Sequence, residues 1–112
     1  MKIAISSTGK NLTDEISGVF ARCPYFIVAE IEDEKIQKIK AIENKSANQL
    51  GQAGISVAQL LAEMDVKVII TSNIGPRALD VLKQFGIEVY QGKGTINEVI
   101  GKFIEGKLEK VK

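Results

Sequence analysis

The stretch "VKVIITSNIGPRALDVLKQFGIEVY", Val66–Tyr90, decides the fold. Lys67–Thr71 is a short, largely β-branched run that is apolar on both faces, as expected of a strand buried inside a parallel sheet. Pro76 suits the first turn of a helix, where its missing N–H would have no partner and its φ is already helical. Ala78, Val81, Leu82 and Phe85 recur at helical spacing and are expected to form the buried face of that helix, which Gly86 stops. Ile87–Tyr90 is a second β-rich run, so the stretch reads as strand, helix, strand: a crossover between parallel strands, expected to be right-handed.

Toward the C-terminus, Thr95 and Glu98 form a capping box ahead of Ile96, Val99, Ile100 and Phe103, and Gly106 ends that helix. The last six residues, "KLEKVK", are expected to fray. Toward the N-terminus, Val57, Leu60, Leu61 and Met64 mark one face of a helix beginning near Gln52. Met1–Ser6 alternates as a first strand, and 11–23 is a long loop with room for a helical turn. Tyr25–Ile31 and Ile36–Ile42 form a hairpin around the polar turn Glu32–Lys35, with a bulge expected at Ile36–Ile39, where alternation breaks. The order β-β-β-α-β-α-β-α has no linker, repeat or low-complexity segment. It predicts one α/β domain over residues 1–112, a mixed sheet with helices on both faces.

A chain of 112 residues with 45% hydrophobic and 26% charged residues can bury one core without staples. Its net charge of +1 argues against electrostatic capture of nucleic acid, and the Lys-rich run Lys35–Lys40 reads as a solvated strand face. No apolar stretch approaches the length needed to span a bilayer and no secretory leader is evident, so neither a membrane nor a nucleic-acid partner is expected and the expected location is cytoplasmic. Cys23 is the only cysteine, which excludes an intrachain disulfide, and the absence of histidine excludes Ser-His-Asp and Cys-His catalysis.

The topology places every polar, Gly-rich connection on one edge of the sheet: Ser6–Lys10, the segment before Cys23, Asn44–Gly54, Ser72–Gly75 and Gln91–Gly94. Ligands of open α/β sheets bind at that edge, beyond the carboxyl ends of the strands. At Gly75-Pro76 a helix starts with unpaired N–H groups and the positive end of its dipole, and Gly75 has no Cβ to hold a ligand off. Ser72 and Asn73 can add hydrogen bonds. Two readings of this turn stand side by side, a helix cap and an anion site. Ser6 and Ser7 in "SSTGK" and Gly92 in "GKGT" are further candidates, each also explicable as a plain loop; the latter is not a Walker motif, because the upstream glycine is misplaced and Gly94 replaces the magnesium-binding hydroxyl residue. Cys23 reads either as a metal or cluster ligand or as a small buried residue; as a ligand it is expected to be at least partly accessible at the top edge. No carboxylate pair suited to metal-dependent nuclease chemistry falls on adjacent strands.

At "VFARCPYFIV", "GQAGISVAQLL" and "VKVIITSNIGPRALDVLKQFGIEVYQGKGTINEVI" the chain resembles the dinitrogenase iron–molybdenum cofactor biosynthesis family, the nitrogenase accessory factor or NifX-like domains. The resemblance is carried by Phe-x-Arg-x-Pro-Tyr-Phe at 20–26, Ala-Gly-Ile at 53–55, Ile-Gly-Pro at 74–76, Gly-Ile-x-Val-Tyr at 86–90 and Gly-x-x-x-Glu at 94–98. It implies a three-layer α/β/α, ribonuclease H-like fold with a five-stranded mixed sheet in the order 3-2-1-4-5, strand two antiparallel. It also implies a role in binding, carrying or protecting iron–sulfur or molybdenum-containing cluster precursors, with cluster-assembly proteins as partners. Family members often carry histidine at the position of Val19, and glycine or histidine at that of Gln52, so imidazole ligation is not available to this chain. Cys23 matches a recurrent family cysteine, although one thiolate is far short of the usual four ligands of a protein-held cluster.

The expected function is a non-catalytic carrier of an iron–sulfur or molybdenum-containing cluster, or of a related small anion. Ser6, Ser7, Cys23, Ser72, Asn73, Gly75 and Gly92 are the candidate binding residues and Cys23 the one candidate metal ligand. The rival readings are a module whose top loops dock a partner, and an enzyme acting on a phosphorylated small molecule.

Overall fold

A computed structural model of the chain describes residues 1–49 and 51–112. Six strands form one mixed sheet: β1 (Lys2–Ser7), β2 (Tyr25–Glu32), β3 (Lys35–Glu43), β4 (Val68–Thr71), β5 (Glu88–Gln91) and β6 (Glu109–Lys110), in the order β3-β2-β1-β4-β5-β6. The first five follow the expected order, and β2 runs antiparallel to both of its neighbours. The sixth is a correction. The tail does not fray: Lys110 and Glu109 pair antiparallel with Tyr90 and Gln91, the Val111 N–H donates to the Val89 carbonyl at 2.7 Å, and Lys110 bonds Glu88 at 2.7 Å. Val111 rests against the core on the α1–α2 side and Leu108 against the core on the other face, so the tail is held by apolar contacts on both sides of the sheet.

Period-two alternation divides the strands cleanly. Ala4, Phe26, Val28, Ile69 and Val89 face one side with α1 (Ala53–Glu63) and α2 (Pro76–Gln84), whereas Ile3, Ile5, Ile27, Ala29, Val68 and Ile70 face the other with α3 (Ile96–Ile104). The sheet therefore has a core on each face and helices over both. The hairpin turn places Asp33 and Glu34 at φ 52° and 63°, the left-handed geometry of a two-residue connection. The expected bulge is present at Gln37, since Ile31 pairs with Ile36 while Glu30 pairs with Lys38.

Two helix faces depart from the sequence reading. In α1 the buried residues are Ala53, Val57, Ala58 and Leu61, and Leu60 is 43% exposed; in α2 they are Ala78 and Leu82, and Phe85 is 50% exposed. The alanines explain the shift. The two helices approach closely where Gly54 meets Ala78, and with Ala58 and Ala78 on the buried faces the larger Leu60 and Phe85 are turned outward. In α3 the expected face holds: Ile96, Val99 and Ile100 are buried, and Phe103 packs edge-on against Tyr90 with ring centroids 5.3 Å apart.

Candidate functional site

All three helices begin at the sheet edge where β1, β4 and β5 end, but their first turns are treated differently. The N-terminus of α3 is closed. Its Ile96 and Asn97 N–H groups donate to the carbonyls of Asp14 and Leu12, both at 2.9 Å, and the Glu98 N–H donates to Thr95 Oγ1 within the expected capping box. The loop 8–19 is thus spent on one helix end. The N-termini of α1 and α2 have no side-chain cap at Gln52 or Gly75, and the first helical donors with a protein acceptor are Ser56 and Leu79. Among the described residues, the amides of Ala53, Gly54, Ile55, Arg77 and Ala78 have no protein acceptor.

These two open ends share one groove of about 420 Å³, whose third wall is the 3-10 turn Phe20–Arg22 with Val19 ahead of it. Phe20, 1% exposed and edge-on to Phe26 at 5.6 Å, anchors that wall to the core. The Phe20 N–H donates to the Asn73 carbonyl at 3.0 Å, which ties the wall to the β4–α2 loop. Asn44, buried, donates through Nδ2 to the carbonyls of Ala21 and Cys23 at 3.0 and 2.8 Å. Arg22 Nη1 donates to the carbonyls of Ala47 and Gln49 at 3.0 and 2.6 Å, fastening the loop that leads into α1. Leu50, in that loop, lies outside the described residues. Arg77, on the opposite wall, makes no ion pair or side-chain hydrogen bond among the described residues. Among the described residues the groove thus combines an apolar lining, five amides without a protein acceptor and two guanidinium groups, one committed to the loop and one available, and none of the residues lining it is a carboxylate.

The candidate residues named from sequence divide into three groups. Gly75 lines the groove at the start of α2 with φ −74°, and nothing lies within 4 Å of where its Cβ would stand. Ser72 and exposed Asn73 are in the adjoining loop, where their carbonyls accept from Gln91 and Phe20 and Asn73 leaves its side chain without a hydrogen bond among the described residues. Ser6 and Ser7 are fully buried and bonded internally, Ser6 Oγ to Thr71 Oγ1 at 2.9 Å and Ser7 Oγ to the Gly9 carbonyl at 2.7 Å. Gly92 is buried as well; a Cβ there would stand 3.0 Å from Val99 Cγ1 and 3.2 Å from Ile70 Cγ2, so this glycine lets α3 settle on the sheet.

Cys23 corrects the expectation of an accessible thiol. It is 0% exposed, its Sγ donates to the Phe20 carbonyl at 3.3 Å, and burial pushes its pKa from 9.0 to about 12. A buried thiol held in its neutral form is a poor nucleophile at neutral pH. Among the described residues no three His, Cys, Asp or Glu side chains converge as a metal site. What the sequence reading missed are Arg77 and the α1 end, Gln52–Ile55. The cue was present in "GQAGI", which lacks a capping side chain just as "NIGP" does.

Comparison with known proteins follows this geometry. The chain is 43% identical to an uncharacterized protein of Methanocaldococcus jannaschii over 98% of its own length and 91% of the relative's. It is 31% identical to a second uncharacterized protein of that organism over 99% and 94% of the two lengths. In structure it is similar to the apo form of the orange protein from Desulfovibrio gigas, with a TM-score of 0.87 and 26% identity, covering 98% of this chain and 92% of that one. No helix among the described residues is long and apolar enough to cross a membrane. A family model described as dinitrogenase iron-molybdenum cofactor matches residues 1–106, and with relatives this similar the chain belongs to that family.

Proposed function

We propose that the protein is a non-catalytic cytoplasmic carrier that holds an anionic metal–sulfur cluster, or a related iron- or molybdenum-containing precursor, as cargo in the groove between Val19–Arg22 and the first turns of α1 and α2. One observation carries this reading: among the described residues two of the three helix N-termini have no side-chain cap, and both line the same groove, which no described carboxylate lines. Free amides and the positive ends of two dipoles favour an anion, Arg77 adds a full charge, and the apolar lining suits the polarisable sulfide face of a cluster better than a strongly hydrated oxyanion. The cargo brings its own metal–sulfur bonds, so the chain need not supply ligands. Asn73 and Ser72, in the loop that leads into α2, are proposed as further donors. The ribonuclease H-like assignment belongs to the same reading and is supported by the order 3-2-1-4-5 with β2 antiparallel.

A second reading, a surface that docks a cluster-assembly partner, is favoured by Val19, an apolar side chain 48% exposed at the groove mouth. Anaerobic purification with metal analysis, followed by titration of the metal-free chain with tetrathiomolybdate, separates the two. Saturable binding lost in an Arg77→Glu variant supports the carrier. Absence of metal and of saturable binding overturns it and leaves the docking reading.

A further inference from the structure

We infer that Gly54 is a positioning residue: by allowing α1 to touch α2 at Ala78, it sets the spacing of the two open helix ends so that a single small anion is held by both. This inference rests on the proposed anion-binding role of the groove and adds what fixes its geometry. Gly54 sits in the first turn of α1, where glycine is a poor helix former, so its presence asks for a reason. The reason is steric. A Cβ on residue 54 would stand 2.9 Å from the Ala78 Cβ, closer than real Cβ atoms approach, and neither atom belongs to a flexible side chain that can swing aside. Ala78 is itself 6% exposed in the first turn of α2 and lines the groove with Gly54. A methyl group at 54 must therefore push the two helix starts apart, and it does so where the first turns of both helices line one groove. Hydrogen bonds weaken steeply as they lengthen, so a ligand that spans both ends would keep one set and lose the other.

The contact also predicts its own rescue. With the Ala78 methyl removed, the nearest atoms to a Cβ at 54 are the Ala21 Cβ at 3.7 Å and the Ala78 Cα at 3.8 Å, ordinary contact distances. The exchange Gly54→Ala with Ala78→Gly keeps composition constant and moves the methyl group from one helix to the other.

The test follows backbone amide resonances of Ala53, Ile55, Arg77 and residue 78 while the full chain is titrated with tetrathiomolybdate at fixed ionic strength. Both helix ends of the wild-type chain should respond with one dissociation constant. Gly54→Ala should bind about tenfold more weakly or lose the response of one helix, the scale of a lost hydrogen bond to a charged group, and the exchange variant should recover most of the affinity. A folded Gly54→Ala chain with unchanged affinity, or an exchange variant as weak as Gly54→Ala, overturns the spacing role while leaving the anion site in place. Should none of these amides respond in the wild-type chain, the groove is not an anion site and the spacing inference falls with it.

Discussion

The Sγ of Cys23 donates to the carbonyl oxygen of Phe20, three residues earlier, at 3.3 Å, and both residues belong to the core on the α1–α2 side. The wall of the groove is therefore held from within by a neutral thiol. Native protein should resist thiol reagents at neutral pH and react only when the Phe20–Arg22 turn opens; stoichiometric labelling without denaturant would place the sulfur at the surface instead.

The same thiol predicts a pH dependence. Its folded pKa is raised from 9.0 to about 12 by burial, so between those values the unfolded chain releases a proton that the folded chain keeps. The stabilisation is complete below the unfolded pKa and is lost as pH rises toward the folded one. Urea unfolding of wild type and Cys23→Ala at about pH 8 and about pH 10.5 should show the wild type losing more stability over that interval. Equal losses would mean that the thiol titrates normally.

Gly75→Asp separates helix capping from ligand binding. The side chain has open space and a suitable backbone, φ −74° and ψ 157°, and a carboxylate there can accept from the first-turn amides of α2. Stability should hold or rise by a few tenths of a kcal/mol, roughly the gain of a capping side chain over glycine, while anion affinity should fall by more than about tenfold because the amides are occupied and the groove gains a negative charge. Thermal unfolding and titration of the same preparation check both halves. Retained affinity would move the ligand away from α2.

The two arginines should behave differently. Arg77→Gln removes a guanidinium with no partner among the described residues, so binding should weaken with little change in unfolding midpoint. Arg22→Gln breaks the bonds to the Ala47 and Gln49 carbonyls, which is expected to cost about 1 kcal/mol and to loosen loop 44–49, seen as faster amide exchange there. Identical effects of the two substitutions on stability would contradict this division.

Gly92→Ala should destabilise the fold by about 1–3 kcal/mol, the usual cost of an extra methyl group in a packed contact, and leave affinity per folded molecule unchanged. The pressure comes from Val99 and Ile70, not from a ligand. A stable Gly92→Ala chain that fails to bind would return this glycine to the site.

Much of the architecture was legible because β-alternation and helix-stop glycines are local signals: Val68–Thr71 between two turns, and Pro76 followed by Gly86, need no knowledge of the rest of the chain. The top edge was legible for the same reason. What was not legible depends on contacts between distant segments. Leu60 and Phe85 match the helical period as well as Leu61 and Leu82 do, and only the approach of α1 to α2 through small residues decides which are covered. Ser6 reads as an exposed loop donor until Thr71, sixty-five residues away, is found to take its hydroxyl. The capping box of α3 and the uncapped start of α2 were legible locally, but the further closure of α3 was not, because the groups that accept from Ile96 and Asn97 are the carbonyls of Asp14 and Leu12.

The sheet's two outer edges bear on how the molecule behaves when crowded. Along β3, the Gln37 bulge interrupts the hydrogen-bonding rim, and Lys35, Lys38 and Lys40 would bring like charges together if two such rims met. On the far side, β6 offers only two residues, so a stranger's strand finds too short a template to zip onto. With both borders guarded, concentrated solutions should stay clear and free of cross-β fibrils, even though the strands between them carry the aliphatic runs Ile3–Ile5, Ile27–Ala29 and Val68–Ile70.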